Sequence, residues 1–258
     1  MGIDATMYSM IFKRKSFHLF RNVGNESISK DEIDDIYKAF GKLVPLDLEI
    51  KTAIKIVPAE KTTCKRGQEY CILFYSEKKD NYLQNIGYIG EQLELYLVSK
   101  NIGTLWFGIG KTEEPKYNGL DFVIMMAISK VDDENKFRKD MFKSKRKAKE
   151  DIWLGDNIKD VADIIRFAPS ACNTQPWIVE NDNDILCVYR YKKPGKRGIM
   201  PTNMVVFYNQ IDMGIFLCFL ELCLEHNGIS FHIEHFVDKG TDEEKTLVAK
   251  YHILKRKI

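Results

Sequence analysis

The sequence predicts an α+β fold laid out as two similar halves, and three observations carry that prediction. Strand-like runs rich in β-branched and aromatic residues alternate with helix-like ones, two helical segments repeat at one spacing, and a charged spacer divides the chain. With 258 residues and 45% hydrophobic content, the chain can bury a core as one large domain or as two half-sized units.

Laid over itself at a shift of 125, DEIDDIYKAF (31–40) falls on DNIKDVADII (156–165), and NIGYIGEQLELYLVSKNIG (85–103) falls on QIDMGIFLCFLELCLEHNG (210–228). The first helix of each half opens at the capping-box sequence SKDE (29–32) or at Asp156. Strands follow: LEIKTAIKIV and YCILFY in the first half, WIVEN and ILCVYRY in the second. The apolar helix comes next and closes at Gly103 or Gly228, a residue suited to a left-handed cap. DFVIMMAIS or TLVAKYHIL then completes the unit. The spacer DDENKFRKDMFKSKRKAKED (132–151) sets the boundary, so the halves are 1–131 and 132–258, with the two apolar helices packed together at the centre.

Several function classes are excluded on sequence grounds. IFLCFLELCL (215–224) is too short to span a bilayer and carries Glu221, so it reads as a buried helix and no membrane partner is expected. The N-terminus MGIDATMYSMIFKRKS has no secretory-signal pattern, which places the chain in the cytoplasm. The six cysteines form no CxxC pair and read as buried free thiols. His232 and His235 fall on opposite faces of a strand without further ligands, so no metal is expected. The basic run KSKRKAK (143–149) lacks interleaved aromatics and reads as a solvated face, not a nucleic-acid site.

Three segments carry chemistry. Arg14, Lys15 and Ser16 place two cations beside a hydroxyl, which suits a phosphate or an anionic ring edge, or else an exposed basic turn. GTLWFGIGK (103–111) sets Gly108, Ile109 and Gly110 after Trp106, letting backbone approach a flat ligand while the aromatics offer stacking area; a plain strand and turn would need no ligand. In RFAPSACNTQPW (166–177), Pro169 ends a helix, Ser170 and Ala171 leave room for a ring, and Asn173 and Gln175 can bond an imide edge or the loop's own backbone.

At these residues the chain resembles a known family. APSACNTQPW is similar to the APSxxNxQPW signature of the FMN-dependent nitroreductases, RKSFHLF to their RRSxRxF, and TLWFGIG to their TCWxGG. AISKVDDENKFRKD resembles their closing strand and basic tail, while Lys15 and His18 depart from the usual residues. Members are homodimers with FMN at the interface. Here the motif order implies a fused pseudo-dimer, a monomer whose single FMN lies between the halves. The first half would supply Arg14, Lys15, Ser16, Trp106, Gly108, Ile109 and Gly110, and the second Pro169, Ser170, Ala171 and Asn173.

Within that site, Arg14 and Ser16 are expected at the phosphate or ribityl chain, with Arg138 or Lys139 as alternatives, and Lys15 beside the reduced ring. At the shift of 125 the second site lacks these features, because Arg14 to Ser16 fall on Lys139, Asp140 and Met141, and Gly108 and Gly110 on Ile233 and His235. The resemblance implies an oxidoreductase that passes electrons from NAD(P)H through FMN to a small nitroaromatic or quinone-like acceptor by a ping-pong route. The alternative is a non-catalytic FMN-binding or storage protein. No catalytic side chain is expected, since the flavin itself supplies the hydride chemistry.

Overall fold

The fold of this protein, taken from a computed structural model that describes residues 5–191, 198–241 and 243–254, is α+β. The first four residues of the N-terminal stretch lie outside the described ones. In chain order the elements are α1 (Tyr8–Lys13), α2 (Lys30–Phe40), β1 (Thr52–Pro58), β2 (Tyr70–Ser76), α3 (Tyr82–Ser99), β3 (Ile102–Phe107), β4 (Lys116–Tyr117) and β5 (Leu120–Lys130). They continue with β6 (Trp153–Leu154), α4 (Val161–Ile165), β7 (Trp177–Asp182), β8 (Ile185–Tyr191), α5 (Val205–His226), β9 (Ser230–His235) and β10 (Lys245–Leu254).

Two sheets result. The first runs β1-β2-β5-β3 with β4 beside β5, and the second runs β6-β7-β8-β10-β9; only the β6/β7 pair is parallel. In each sheet an antiparallel pair of strands leads into a long apolar helix, whose exit strand forms the far edge, and the last strand inserts between. The two sheets thus share one strand order.

Local chemistry explains most boundaries. Ser29 caps α2 through a full capping box with Glu32, as its sequence predicts. The matching helix of the second unit is only five residues long, because Lys159 and Asp160 adopt left-handed φ values of 43° and 60°. There Asn157 Oδ1 accepts the Ala162 N–H at 3.0 Å in place of an Asp156 cap. α3 ends at Ser99, and its left-handed terminator is Asn101 (φ 56°), not Gly103, which lies inside β3. Gly228 (φ 65°) does follow α5 as expected.

α5 is apolar almost all round, and its 22 residues make it longer than the ten-residue apolar run indicates. With the preceding turn it is long and apolar enough to cross a membrane by length and composition, yet 83% of that window is buried inside the protein. It packs across α3 at the centre of the main hydrophobic core.

That crossing is made backbone to backbone. A Cβ on Gly87 would collide with the Ile211 carbonyl and crowd Ile215, and a Cβ on Gly214 would collide with the Gln84 carbonyl and crowd Tyr88. Each glycine faces residues three before and one after the other, so α3 and α5 correspond at a separation of 127 positions (214 − 87). The separation of 125 read from the sequence is therefore out of register by two in these helices. Asn101 and Gly228 obey the corrected spacing.

Gly87→Ala or Gly214→Ala must push the helices apart and is expected to cost about 3 kcal/mol or more, the upper end of core overpacking. Gly41→Ala, at a right-handed position where a Cβ finds its nearest neighbour at 3.7 Å, is the neutral control. Urea midpoints followed by circular dichroism measure the difference.

Candidate functional site

A cavity of about 290 Å³ opens where the edge of the first sheet meets α5 and the loop before β7. Ser16, Trp106, Gly108 and Ile109 line it from one side, and Pro169, Ser170 and Ala171 from the other. These are seven of the residues singled out from the sequence. The wall is largely apolar, and Tyr208 ties its two sides together by donating to the Gly108 carbonyl at 2.8 Å.

The 166–177 loop is held open by its own geometry. Cys172, Asn173 and Gln175 all take φ values between 50° and 56°, a region non-glycine residues enter at some cost. Ser170 Oγ accepts the Gln175 N–H at 2.9 Å, and Asp212 Oδ1 of α5 accepts the Ala171 N–H at 2.9 Å. Trp177 closes the loop by burying its ring against Phe216, centroids 4.7 Å apart. Asn173 does not line the cavity. Its Oδ1 accepts from Arg146 at 2.8 Å and its Nδ2 donates to the Lys145 carbonyl, while Gln175 Oε1 accepts the Lys147 N–H. Both amides therefore hold the basic segment 145–147 and not an imide edge.

Arg14 also differs from expectation. It is 1% exposed, donates through Nε to Glu94 at 2.8 Å, and donates through Nη2 to Ser16 Oγ at 3.1 Å. Burial works against its charge, but Glu94 and Glu91 outweigh that and hold its pKa above the usual value. Glu94 in turn accepts from Thr104 at 2.6 Å and from Trp106 Nε1 at 2.9 Å. Arg14 thus braces the wall and is not a free cation.

Lys15 turns away, donating to the Lys136 carbonyl at 2.7 Å. Gly110 is packed on Met125 behind the wall, where a Cβ would clash with the sulfur. Arg66 and His18 also line the cavity, Arg66 lying 5.6 Å from the Phe107 ring centroid. Arg66 carried no local signal; a turn with Gly67 at φ 79° places it.

Beside Ser16 and Asn173 lies a cluster of arginines. Burial first, then the Arg14 charge, pushes Arg138 down to about 10. Burial, then Arg14, Arg138 and Arg166, does the same to Arg146. The Arg146 Nε is buried without a hydrogen-bond partner, and the Arg138 guanidinium makes no hydrogen bond or ion pair among the described residues. Arg146 belongs to the basic run read as a solvated face, so that reading is corrected: this side chain points inward. Cations that lower one another's pKa in a partly buried site favour an anion. No group of three metal-ligating side chains occurs among the described residues.

A second groove, lined by residues 41–49, Asn81 and His235, lies on the opposite side of the helix crossing. There Asn85 Oδ1 of α3 accepts the Asp47 N–H at 3.1 Å, the counterpart of the Asp212 contact at the separation of 127 (212 − 85).

Comparison with known proteins places the chain. The family described as "Putative TM nitroreductase" matches residues 6–224. The chain belongs to this family, whose members are nitroreductase-like oxidoreductases. A structure described as a "putative nitroreductase" from Thermotoga maritima has the same fold, with a TM-score of 0.63 and 19% identity over 98% of this chain and 94% of that one. Another, described as a "putative nitroreductase in complex with fmn" from Desulfovibrio desulfuricans, is also similar, at a TM-score of 0.42 and 16% identity over 59% of this chain and 97% of that one. No curated protein sequence matches.

Two buried carboxyls near α5's centre contribute to the pH dependence of stability. Burial pushes Asp212 up to about 8 and Glu221 to about 7, the latter despite hydrogen bonds from Tyr88 and Tyr251. Both folded values lie above the unfolded ones, so their stabilising protonated forms are present at low pH and lost as pH rises through about 7 to 8. Urea stability is expected to fall by at least about 1 kcal/mol between about pH 5 and pH 9. Asp212→Asn, neutral throughout, should flatten part of that fall.

Proposed function

We propose that this chain is an FMN-dependent oxidoreductase that takes electrons from NAD(P)H and delivers them to a small nitroaromatic or quinone-like acceptor by a ping-pong route. The observation that carries this reading is the composite cavity, with Ser16 and Trp106 to Ile109 on one wall and Pro169 to Ala171 on the other. Close by, Arg138 and Arg146 are partly buried beside Arg14, and Arg146 is held by Asn173.

The donor set fits FMN. Arg138 and Arg146, with Ser16 nearby, suit a phosphate, since guanidinium forks bind its oxygens in pairs. The small residues Ser170 and Ala171 leave space for a flat ring between Trp106 and Pro169, while Gly108 lets the Tyr208 ring close against the wall. When bound, FMN supplies the two-electron chemistry that no side chain here can perform. Arg66, not Lys15, is the cation positioned to offset negative charge on a reduced ring.

We read the chain as a fused pseudo-dimer with halves 1–131 and 132–258 and one FMN. The shared strand order and the paired glycines of the crossing support this. At the separation of 127, the second groove has His235 in place of Gly108 and Asn81 in place of Tyr208, and a His side chain fills space a ring would need. Both walls come from one chain, which favours a monomer. Six free cysteines suit a reducing cytoplasm.

Arg138→Ala and Arg146→Ala are each expected to weaken FMN retention by about 10- to 100-fold, the worth of one charged hydrogen bond. Lys15→Ala and Lys139→Ala should retain FMN as the parent does. Dialysis followed by absorption spectroscopy measures this, and equal retention in all four contradicts the phosphate assignment. Arg14→Ala is a poor test, because it leaves Glu91 and Glu94 buried without their cation.

A further inference from the structure

Among the described residues Asp212 is the one acidic side chain lining the cavity, and it is 3% exposed. Its Oδ1 accepts the Ala171 N–H at 2.9 Å, while its Oδ2 is buried without a hydrogen-bond partner. The protein contains its own control for this position. Across the helix crossing, Asn85 accepts the Asp47 N–H at 3.1 Å, so an amide suffices to hold a wall loop. The chain nevertheless carries an acid where the cavity lies, and an ionised carboxylate buried there costs far more than a neutral amide, so the group keeps its proton.

The titratable groups around Asp212 are Tyr208 on its own helix, Cys172 on the 169–173 loop, and His18 and Arg66 across the cavity. Tyr208 donates to Gly108 instead, and none of the four is hydrogen-bonded or ion-paired to the carboxyl. From α3, Gln84 and Tyr88 face the adjacent Gly214, and Tyr88 donates to Glu221. The Ala171 N–H alone favours a carboxylate here, and burial outweighs it and holds the proton on at neutral pH.

We propose that Asp212 is the proton donor of the cavity, protonating an oxygen of a quinone-type acceptor as that acceptor is reduced. This rests on the flavin reading above. A quinone that receives a hydride from the reduced cofactor gains two electrons and one proton and becomes a hydroquinone monoanion. The O–H bond of Asp212 breaks, an O–H bond forms on the anion, and the neutral hydroquinone leaves. Water then returns a proton to the carboxylate.

The test compares the FMN-loaded parent with Asp212→Asn, whose Oδ1 can still accept from Ala171. Infrared spectra at neutral pH should show the carbonyl stretch of a protonated carboxyl that disappears in the variant. With FMN reduced anaerobically and mixed with menadione, the parent's oxidation rate should fall as pH rises through about 8. The variant should lose that dependence and slow about 100-fold, a typical worth for general-acid assistance. Its reduction by NAD(P)H should fall at least about 10-fold less than its oxidation. No lost infrared band, or equal effects on the two half-reactions, overturns the proposal and leaves the flavin reading standing. Parent protein that takes up no FMN overturns both.

Discussion

Two glycines on crossing helices set the distance on which the site depends. Gly87 and Gly214 let the α3 and α5 backbones touch, and no larger residue fits at either position. That closeness puts Asp212 within reach of the Ala171 N–H and Tyr208 within reach of the Gly108 carbonyl. The two walls of the cavity come from segments about sixty residues apart in sequence, and these contacts join them. Helices held apart by ordinary side chains would sit 8–10 Å between axes, and the walls would part with them.

A second layer of order comes from the buried ion cluster behind the first wall. Arg14 reaches Glu94, and Glu94 gathers Thr104 and Trp106, so one carboxylate fixes the N-terminal segment, α3 and β3 relative to one another. Burying such charges is costly, and removing one partner typically costs about 3–5 kcal/mol, since the other is left stranded. Burial and the neighbouring Glu94 push Glu91 well up, while at Glu94 burial is outweighed by Arg14 and by hydrogen bonds that hold it down, so Glu94 is the principal partner of the Arg14 charge. Arg138 and Arg146 have no carboxylate partner among the described residues, and Arg146 donates instead to Asn173 and to the Lys145 and Phe167 carbonyls.

Much of this was legible in the sequence. The α+β class, the strands and the APSACNTQPW wall follow from periodicity and from turn chemistry that acts locally. What escaped depends on long-range geometry. Lys15 and Arg14 look alike as neighbours in a basic turn, yet one finds a carbonyl and the other two glutamates eighty residues away. Arg146 reads as one more charge in a basic run, and only its bond to Asn173 turns it inward. The repeat spacing was off by two because matching apolar residues on helices is degenerate, whereas the glycine contact admits one register.

The central claim is that one chain builds one FMN site from both of its units. Native mass spectrometry of protein saturated with FMN tests it most directly. The account predicts a monomer carrying one FMN. Two FMN per chain, or a single FMN shared between two chains, would contradict it.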